Sequence, residues 1–226
     1  MTIFFDFDST LVGKESLDEV ITRALHNSPE RDTVAKTIAD ITQAGMEGTL
    51  PFTQSVEQRL AATPLHRTHF IQTGIELVKH ITPGMPELFT ELTTRGYTVY
   101  IISGGFRESI SPVANLLGLP ETRVFCNQCF FASDGTVTGV DTSLSTFTDH
   151  GKTPVINHIE QTDRPPRPFI MVGDGANDLA AYERGAVDYF CGFTEHVTRD
   201  IIRSRAPHQV ATSAALRDFI FSREAV

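Results

Sequence analysis

A doubly wound α/β fold with a parallel sheet at its centre, an inserted helical cap and a small β-hairpin is what this 226-residue sequence predicts. Three observations lead there. Short apolar runs alternate with amphipathic helical stretches over most of the chain. One long stretch, roughly ninety residues after the first apolar run, has helical periodicity and no strand-like run. Two pairs, Phe130-Phe131 and Val137-Thr138, flank the turn sequence Ser133-Asp134-Gly135.

The strands come first. Residues 3–7, 99–102, 169–172 and 187–191 are apolar on both faces, too short for helices, and bounded by Gly, Asp or Ser. That is the signature of buried parallel strands. Between most of them lie helical patterns at 86–95, 108–117, 153–161 and 176–184. The strand-free stretch reads as four amphipathic helices, at 15–25, 31–42, 52–62 and 66–80. A single βα crossover needs far less chain. Residues 15–76 are therefore expected to form the cap, with 1–14 and 77–226 as the α/β core, and Thr82-Pro83-Gly84 marks the return. Phe130-Phe131 and Val137-Thr138 form the expected hairpin. The run Arg164-Pro165-Pro166-Arg167-Pro168 reads as a stiff connection into the third strand.

Composition narrows the function. A formal net charge of −9 argues against a broad electrostatic grip on nucleic acid or anionic lipid. Cys126, Cys129 and Cys191 are too few and odd in number for a disulfide framework. Cys126 and Cys129 form one C-x-x-C, but a zinc site would need a second ligand pair of similar spacing. Buried thiols are the better reading. No stretch approaches the ~20 apolar residues of a membrane span. Met1-Thr2-Ile3-Phe4-Phe5 has neither the basic region nor the cleavage site of a signal peptide. The expectation is a cytoplasmic protein, with the number of subunits left open.

The chemistry concentrates at strand ends. In Phe5-Asp6-Phe7-Asp8-Ser9-Thr10, strand periodicity puts Asp6 and Asp8 on one face. Ligands of open α/β sheets bind beyond the carboxyl ends of the strands. Two carboxylates there repel each other unless a cation lies between them. Helix capping by Asp8, Ser9 or Thr10 would explain this motif alone. It does not explain a second acidic strand end, Gly173-Asp174-Gly175-Ala176-Asn177-Asp178, where Asp174 and Asp178 can point the same way from one helical turn. Magnesium binds through one or two carboxylates plus water and phosphate oxygens. Asp6, the Asp8 carbonyl and Asp174 suit that role. Ser103-Gly104-Gly105, ending the strand at 99–102 before a helix, offers a hydroxyl and backbone N–H groups to an anion. Lys152 opens another helix; by itself it would be read as solvated surface.

Taken together, Asp6-Phe7-Asp8-Ser9-Thr10, Ser103-Gly104-Gly105, Lys152 and Gly173-Asp174-Gly175-Ala176-Asn177-Asp178 resemble the haloacid dehalogenase superfamily, in its phosphoserine phosphatase branch. The resemblance covers nearly the whole chain. It implies a magnesium-dependent phosphomonoesterase with Asp6 as nucleophile and Asp8 as general acid and base. Ser103, Gly104 and Lys152 would hold phosphoryl oxygens. Asp6, Asp8 and Asp174 would ligate Mg2+, supported by Asp178 and Asn177. Carried onto the cap, it implies that Glu15 meets a substrate amino group and Arg59 a carboxylate, while Met46 and Phe52 exclude water. An Arg fork suits a carboxylate, although most such charges are helix surface. The stretch from Gly192 to Arg199 departs from the Lys-containing version of bacterial members and is nearer the animal type, which leaves substrate choice more open.

Three functions share these residues: hydrolysis of a small phosphate ester such as phosphoserine, transfer of the phosphoryl group to another alcohol, and a phosphoacceptor switch. Intact Asp8, Lys152 and Asp174 weigh against the switch, which profits from a long-lived acyl phosphate.

Overall fold

The computed structural model describes residues 1–224. In chain order the elements are β1 (Thr2–Phe5), α1 (Ser16–Ala24), α2 (Arg31–Met46), α3 (Phe52–Leu60), α4 (Arg67–Leu77) and α5 (Met85–Thr94). Then come β2 (Thr98–Phe106), α6 (Arg107–Leu116), β3 (Val124–Asn127), β4 (Cys129–Phe131), β5 (Val137–Val140) and α7 (Lys152–Thr162). The chain finishes with β6 (Phe169–Gly173), α8 (Ala176–Glu183), β7 (Tyr189–Phe193), α9 (Asp200–Arg205), β8 (Gln209–Val210) and α10 (Ser213–Phe221).

Six strands form one parallel sheet in the order β3-β2-β1-β6-β7-β8. The chain winds outward from β1 in one direction and then returns to β1's other edge with β6. The seam between β1 and β6 is thus the topological switch point, where such sheets open a ligand crevice. The register Phe5↔Val172 brings the carboxyl ends of both strands level there.

Alternation along β1 divides the core. Ile3 and Phe5 face a cluster with Leu88, Phe89, Val113 and Leu216 from α5, α6 and α10. Phe4 faces the opposite cluster with Ile156, Ile159 and Leu179 from α7 and α8, and its ring stacks on Tyr100 with centroids 5.5 Å apart. Full burial of each such side chain contributes about 1.5–3 kcal/mol, which is why a four-residue strand can hold the centre of the sheet. A third cluster joins Leu17, Val20, Ile21, Val56 and Phe70 of the α1–α4 segment to Phe106 and to Cys129 and Phe131 of the β4–β5 hairpin. The hairpin also meets the chain just before α4. Arg67 N–H donates to the Gly135 carbonyl at 2.8 Å, and Val137 N–H to that of Leu65 at 3.0 Å.

Several expected boundaries move. The second strand runs on through Ser103 to Phe106, with a register shift against β3 between Ile102 and Phe106, so Ser103 and Gly104 lie in extended, irregular backbone rather than past the strand. The strand expected at 187–191 is Tyr189–Phe193, because Asp188 is held at the strand's entrance by Phe169 while Gly192 and Phe193 pair with β8. The helix expected at 31–42 continues to Met46, and the one at 66–80 ends at Leu77 before a 3-10 turn over Val78–His80. Cys126 and Cys129 fall on different sheets, in β3 and β4. All three cysteines are free and buried, and burial pushes each thiol up to about 12.

Candidate active site

The first acidic motif lies where β1 leaves the sheet. Asp6 follows the last β1 residue, and its N–H still donates to the Val172 carbonyl at 2.8 Å. Asp174 follows the last residue of β6, one position beyond the Gly173 that lies level with Asp6. Backbone pairing thus sets the two carboxylates side by side. Ser9 takes a left-handed φ of 52° and turns the chain away. The Asp8 carboxylate, on the same face as Asp6, accepts from the Ser16 N–H at 2.9 Å and the Ser16 hydroxyl at 3.0 Å, at the start of α1.

Lys152 is buried at the first turn of α7. Its Nζ contacts Asp6 Oδ1 at 2.6 Å and also bonds the Asp178 carboxylate. The other oxygen of Asp178 accepts from Gly175 N–H at 3.0 Å. Ser103 Oγ accepts from Gly105 N–H at 2.9 Å, and Asn127 holds the Gly104 carbonyl at 2.8 Å. The Phe52 ring lies so close to Gly104 that a Cβ there would sit 2.3 Å from Cζ. A side chain at position 104 would displace the ring.

These groups line one cavity of about 410 Å3, with Asp6, Asp8, Ser103, Gly104, Lys152, Asn177 and Asp178 below and Met46, Phe52 and Arg59 from the α1–α4 segment above. Its mixed apolar and charged wall suits a small polar ligand. Arg59 is 4% exposed and bonds Asp18 and Thr42 with Nη1. Glu15 and Asp174 do not line the cavity. Glu15 Oε1 accepts from Ser9 Oγ at 2.8 Å and Arg199 Nη2 at 2.9 Å, while its Oε2 is buried without a partner, as is Asn177 Oδ1.

Arg199 was not among the expected site residues. Buried in the loop before α9, it places Nε 2.7 Å from Asp174 Oδ2 and so bridges Asp174 to Glu15. The signal available in the sequence was its position in a loop after a strand's carboxyl end. Ser16, Asp18 and Thr42 were missed as well.

Burial dominates the electrostatics. It raises the Asp8 carboxyl well above its ordinary value, with Glu15 and Asp6 adding repulsion. Burial likewise raises Asp174, against the pull of Arg199. Asp178 is pushed up to about 6 by burial and Asp6, despite Lys152. Burial alone would lower Lys152, yet Asp178 and Asp6 more than reverse this, so it stays charged. Asp6 and Asp178 thus share Lys152, Asp174 and Glu15 share Arg199, and Asp8 touches neither cation. Among the described residues Asp6, Asp174 and Asp178 form the group whose ligand oxygens lie within 4.8 Å of one another. An excess of buried carboxylate with oxygen donors at that spacing fits a hard divalent cation. The Asp8 carboxylate is not in this group, being committed to Ser16.

Comparison with known proteins gives the arrangement a family. Residues 1–185 match the haloacid dehalogenase-like hydrolase family. The chain is 33% identical over 204 residues to a phosphoserine phosphatase of Bos taurus, covering 90% of this chain and 86% of that one. It superposes on a phosphoserine phosphohydrolase-like protein from Francisella tularensis with a TM-score of 0.87 at 30% identity, covering 97% and 99% of the two chains. It also superposes on a phospho-aspartyl intermediate analogue of a phosphoserine phosphatase with a TM-score of 0.78 at 28% identity, covering 98% and 97%. The chain belongs to the haloacid dehalogenase-like hydrolases, as a phosphoric monoester hydrolase of the phosphoserine phosphatase-like branch.

Proposed function

We propose that the protein hydrolyses O-phosphoserine to serine and phosphate in a magnesium-dependent reaction, in a cavity bounded by an α/β core (1–14, 77–226) and a helical cap (15–76). The observation that carries this reading is the Asp6 carboxylate, fixed by Lys152 at 2.6 Å in a cavity that also holds Arg59. A carboxylate nucleophile splits one difficult displacement into two easier ones. A carboxylate oxygen of Asp6 attacks phosphorus, and the ester P–O bond to the serine oxygen breaks. Asp8 delivers its proton to that departing oxygen; burial and the neighbouring Glu15 and Asp6 favour the protonated acid needed for this. Asp8 then takes a proton from water, whose oxygen attacks phosphorus and frees Asp6 and phosphate.

Ser103, Gly104 and Lys152 are assigned to the phosphoryl oxygens. Asp6, the Asp8 carbonyl and Asp174 would hold magnesium, with Asp178 adjoining. When bound, the ion supplies positive charge against the developing charge of the phosphoryl group. In the cap, Arg59 is assigned to the substrate carboxylate and Glu15 to the amino group, which requires the Glu15 carboxylate, set behind the cavity wall, to turn toward it. Asn177 orients the substrate, and Met46 and Phe52 cover the reacting centre.

The sharpest test is Arg59→Ala on a panel of esters. Removing one partner of a buried charge pair costs ~2–5 kcal/mol, or roughly 30-fold to several thousand-fold in kcat/KM. Phosphoserine hydrolysis should fall by that much, while phosphoethanolamine and aryl phosphate change by only a small factor. Equal losses on every ester would assign Arg59 to cap folding and remove phosphoserine as substrate.

A further inference from the structure

Arg59 is held on three sides before any ligand arrives. Its Nε donates to the Ser55 carbonyl at 3.2 Å, one turn back on its own helix. Its Nη1 donates to Asp18 Oδ1 and to Thr42 Oγ1, both at 3.1 Å. Thr42 in turn donates its hydroxyl to Asp18, lying 2.9 Å from Oδ1 and 2.8 Å from Oδ2. Three helices, α1, α2 and α3, therefore each contribute to one buried knot. Among the described residues Nη2 has no hydrogen-bond partner, and it belongs to a side chain that lines the cavity. A guanidinium carries five N–H donors in a fixed plane. With Nε and Nη1 committed, the plane is set and the Nη2 edge is what remains for a ligand.

A long Arg side chain left to itself samples many rotamers, and ordering it on binding costs conformational entropy. Burying its charge without a counter-ion would cost more still whenever the cavity is empty. Asp18 removes both costs in advance.

We propose that Asp18, steadied by Thr42, is a positioning residue for substrate selection: it fixes the Arg59 guanidinium so that Nη2 meets the carboxylate of an amino-acid phosphate. This rests on the reading of Arg59 given above. Asp18 itself does not line the cavity, so its effect must pass through Arg59.

The test compares Asp18→Ala, Asp18→Asn and Thr42→Val with Arg59→Ala, each assayed on phosphoserine and on phosphoethanolamine with magnesium present. Asp18→Ala should raise KM for phosphoserine about tenfold or more with kcat little changed, and leave phosphoethanolamine within about threefold. Asp18→Asn keeps an acceptor for Nη1 but not the counter-charge and should recover part of the loss. Thr42→Val should show a smaller selective rise. In the Asp18→Ala, Arg59→Ala double variant, the Asp18 change should add nothing further on phosphoserine. Similar losses on both esters would make Asp18 a structural tie of the helices. Unchanged or tighter phosphoserine binding would make it a competitor of the substrate carboxylate. Either result overturns positioning. If Arg59→Ala is itself unselective, the phosphoserine reading fails first, and that failure is recognised without reference to any Asp18 variant.

Discussion

At the scale of single residues, Asp6 and Asp8 make opposite demands on a substitution. Asp6→Asn replaces the proposed nucleophile with a neutral amide of the same shape, so turnover should vanish while the melting temperature holds. A variant keeping more than a few per cent of the wild-type rate would exclude the assignment. Asp8→Asn leaves the nucleophile and removes acid–base help of ~10²–10⁴-fold. Acid-quenched samples should then contain phosphorylated protein that decays slowly, and normal kinetics would move the proton to another group. Both aspartates were readable from sequence because the strand and its two-residue spacing are contiguous. Arg199 and Asp18 were not. Arg199 meets Glu15 across 184 positions and Asp18 meets Arg59 across 41, and a local pattern shows at most the loop or helix that carries such a charge, not its distant partner. Glu15 was singled out for a ligand, yet one of its oxygens serves Ser9 and Arg199, a commitment that only the folded chain reveals.

At the scale of elements, what could be read depended on length and apolar content. Strands β1, β2, β6 and β7 carry buried runs and were visible. Strand β3, four residues ending in Asn127, and β8, two residues, present too little periodicity to separate from loop. Helix α7 shows how an element delivers a functional group. Its N-cap, Gly151, packs so tightly that a Cβ would lie 1.9 Å from the Ser145 carbonyl oxygen. Backbone cannot yield as a flexible side chain would, so Gly151→Ala must shift the helix start and Lys152 with it. We expect kcat to fall at least tenfold and stability by about 1–3 kcal/mol, typical of overpacking. Steady-state kinetics with calorimetry would check this, and wild-type values in both would show that the 145–151 loop adapts freely.

At the scale of the whole molecule, no helix among the described residues is long and apolar enough to cross a membrane. The parallel sheet gathers carboxylates from distant chain segments into one desolvated cluster, so metal and pH should act on global stability. Asp178, pushed up to about 6 from an ordinary 3.8, binds its proton more tightly folded than unfolded. Its contribution is therefore full below pH ~4 and lost as pH rises through ~6. A cation that binds the ionised cluster should offset this. At magnesium a hundredfold above its Kd, stabilisation is about 2.7 kcal/mol, or roughly 5–11 °C in Tm for a chain of this size. Scanning calorimetry should find that shift at pH 7.5 and a smaller one at pH 5, and a chelator should abolish both the shift and turnover. No response to magnesium at either pH would refute the cation site. The central position of β1 has a consequence in time as well. It is synthesised before either neighbour, and Arg199 follows its partner Glu15 by 184 positions. At ~5–20 residues per second, the ribosome takes roughly 10–40 s over that interval. For much of it, Ile3, Phe4 and Phe5 have no strand to pair with on either side. A short apolar strand left waiting is a seed for aggregation, and charges at its end are what discourage wrong partners. The carboxylates at positions 6 and 8 are the charges that border this unpaired strand, long before there is a cavity for them to serve.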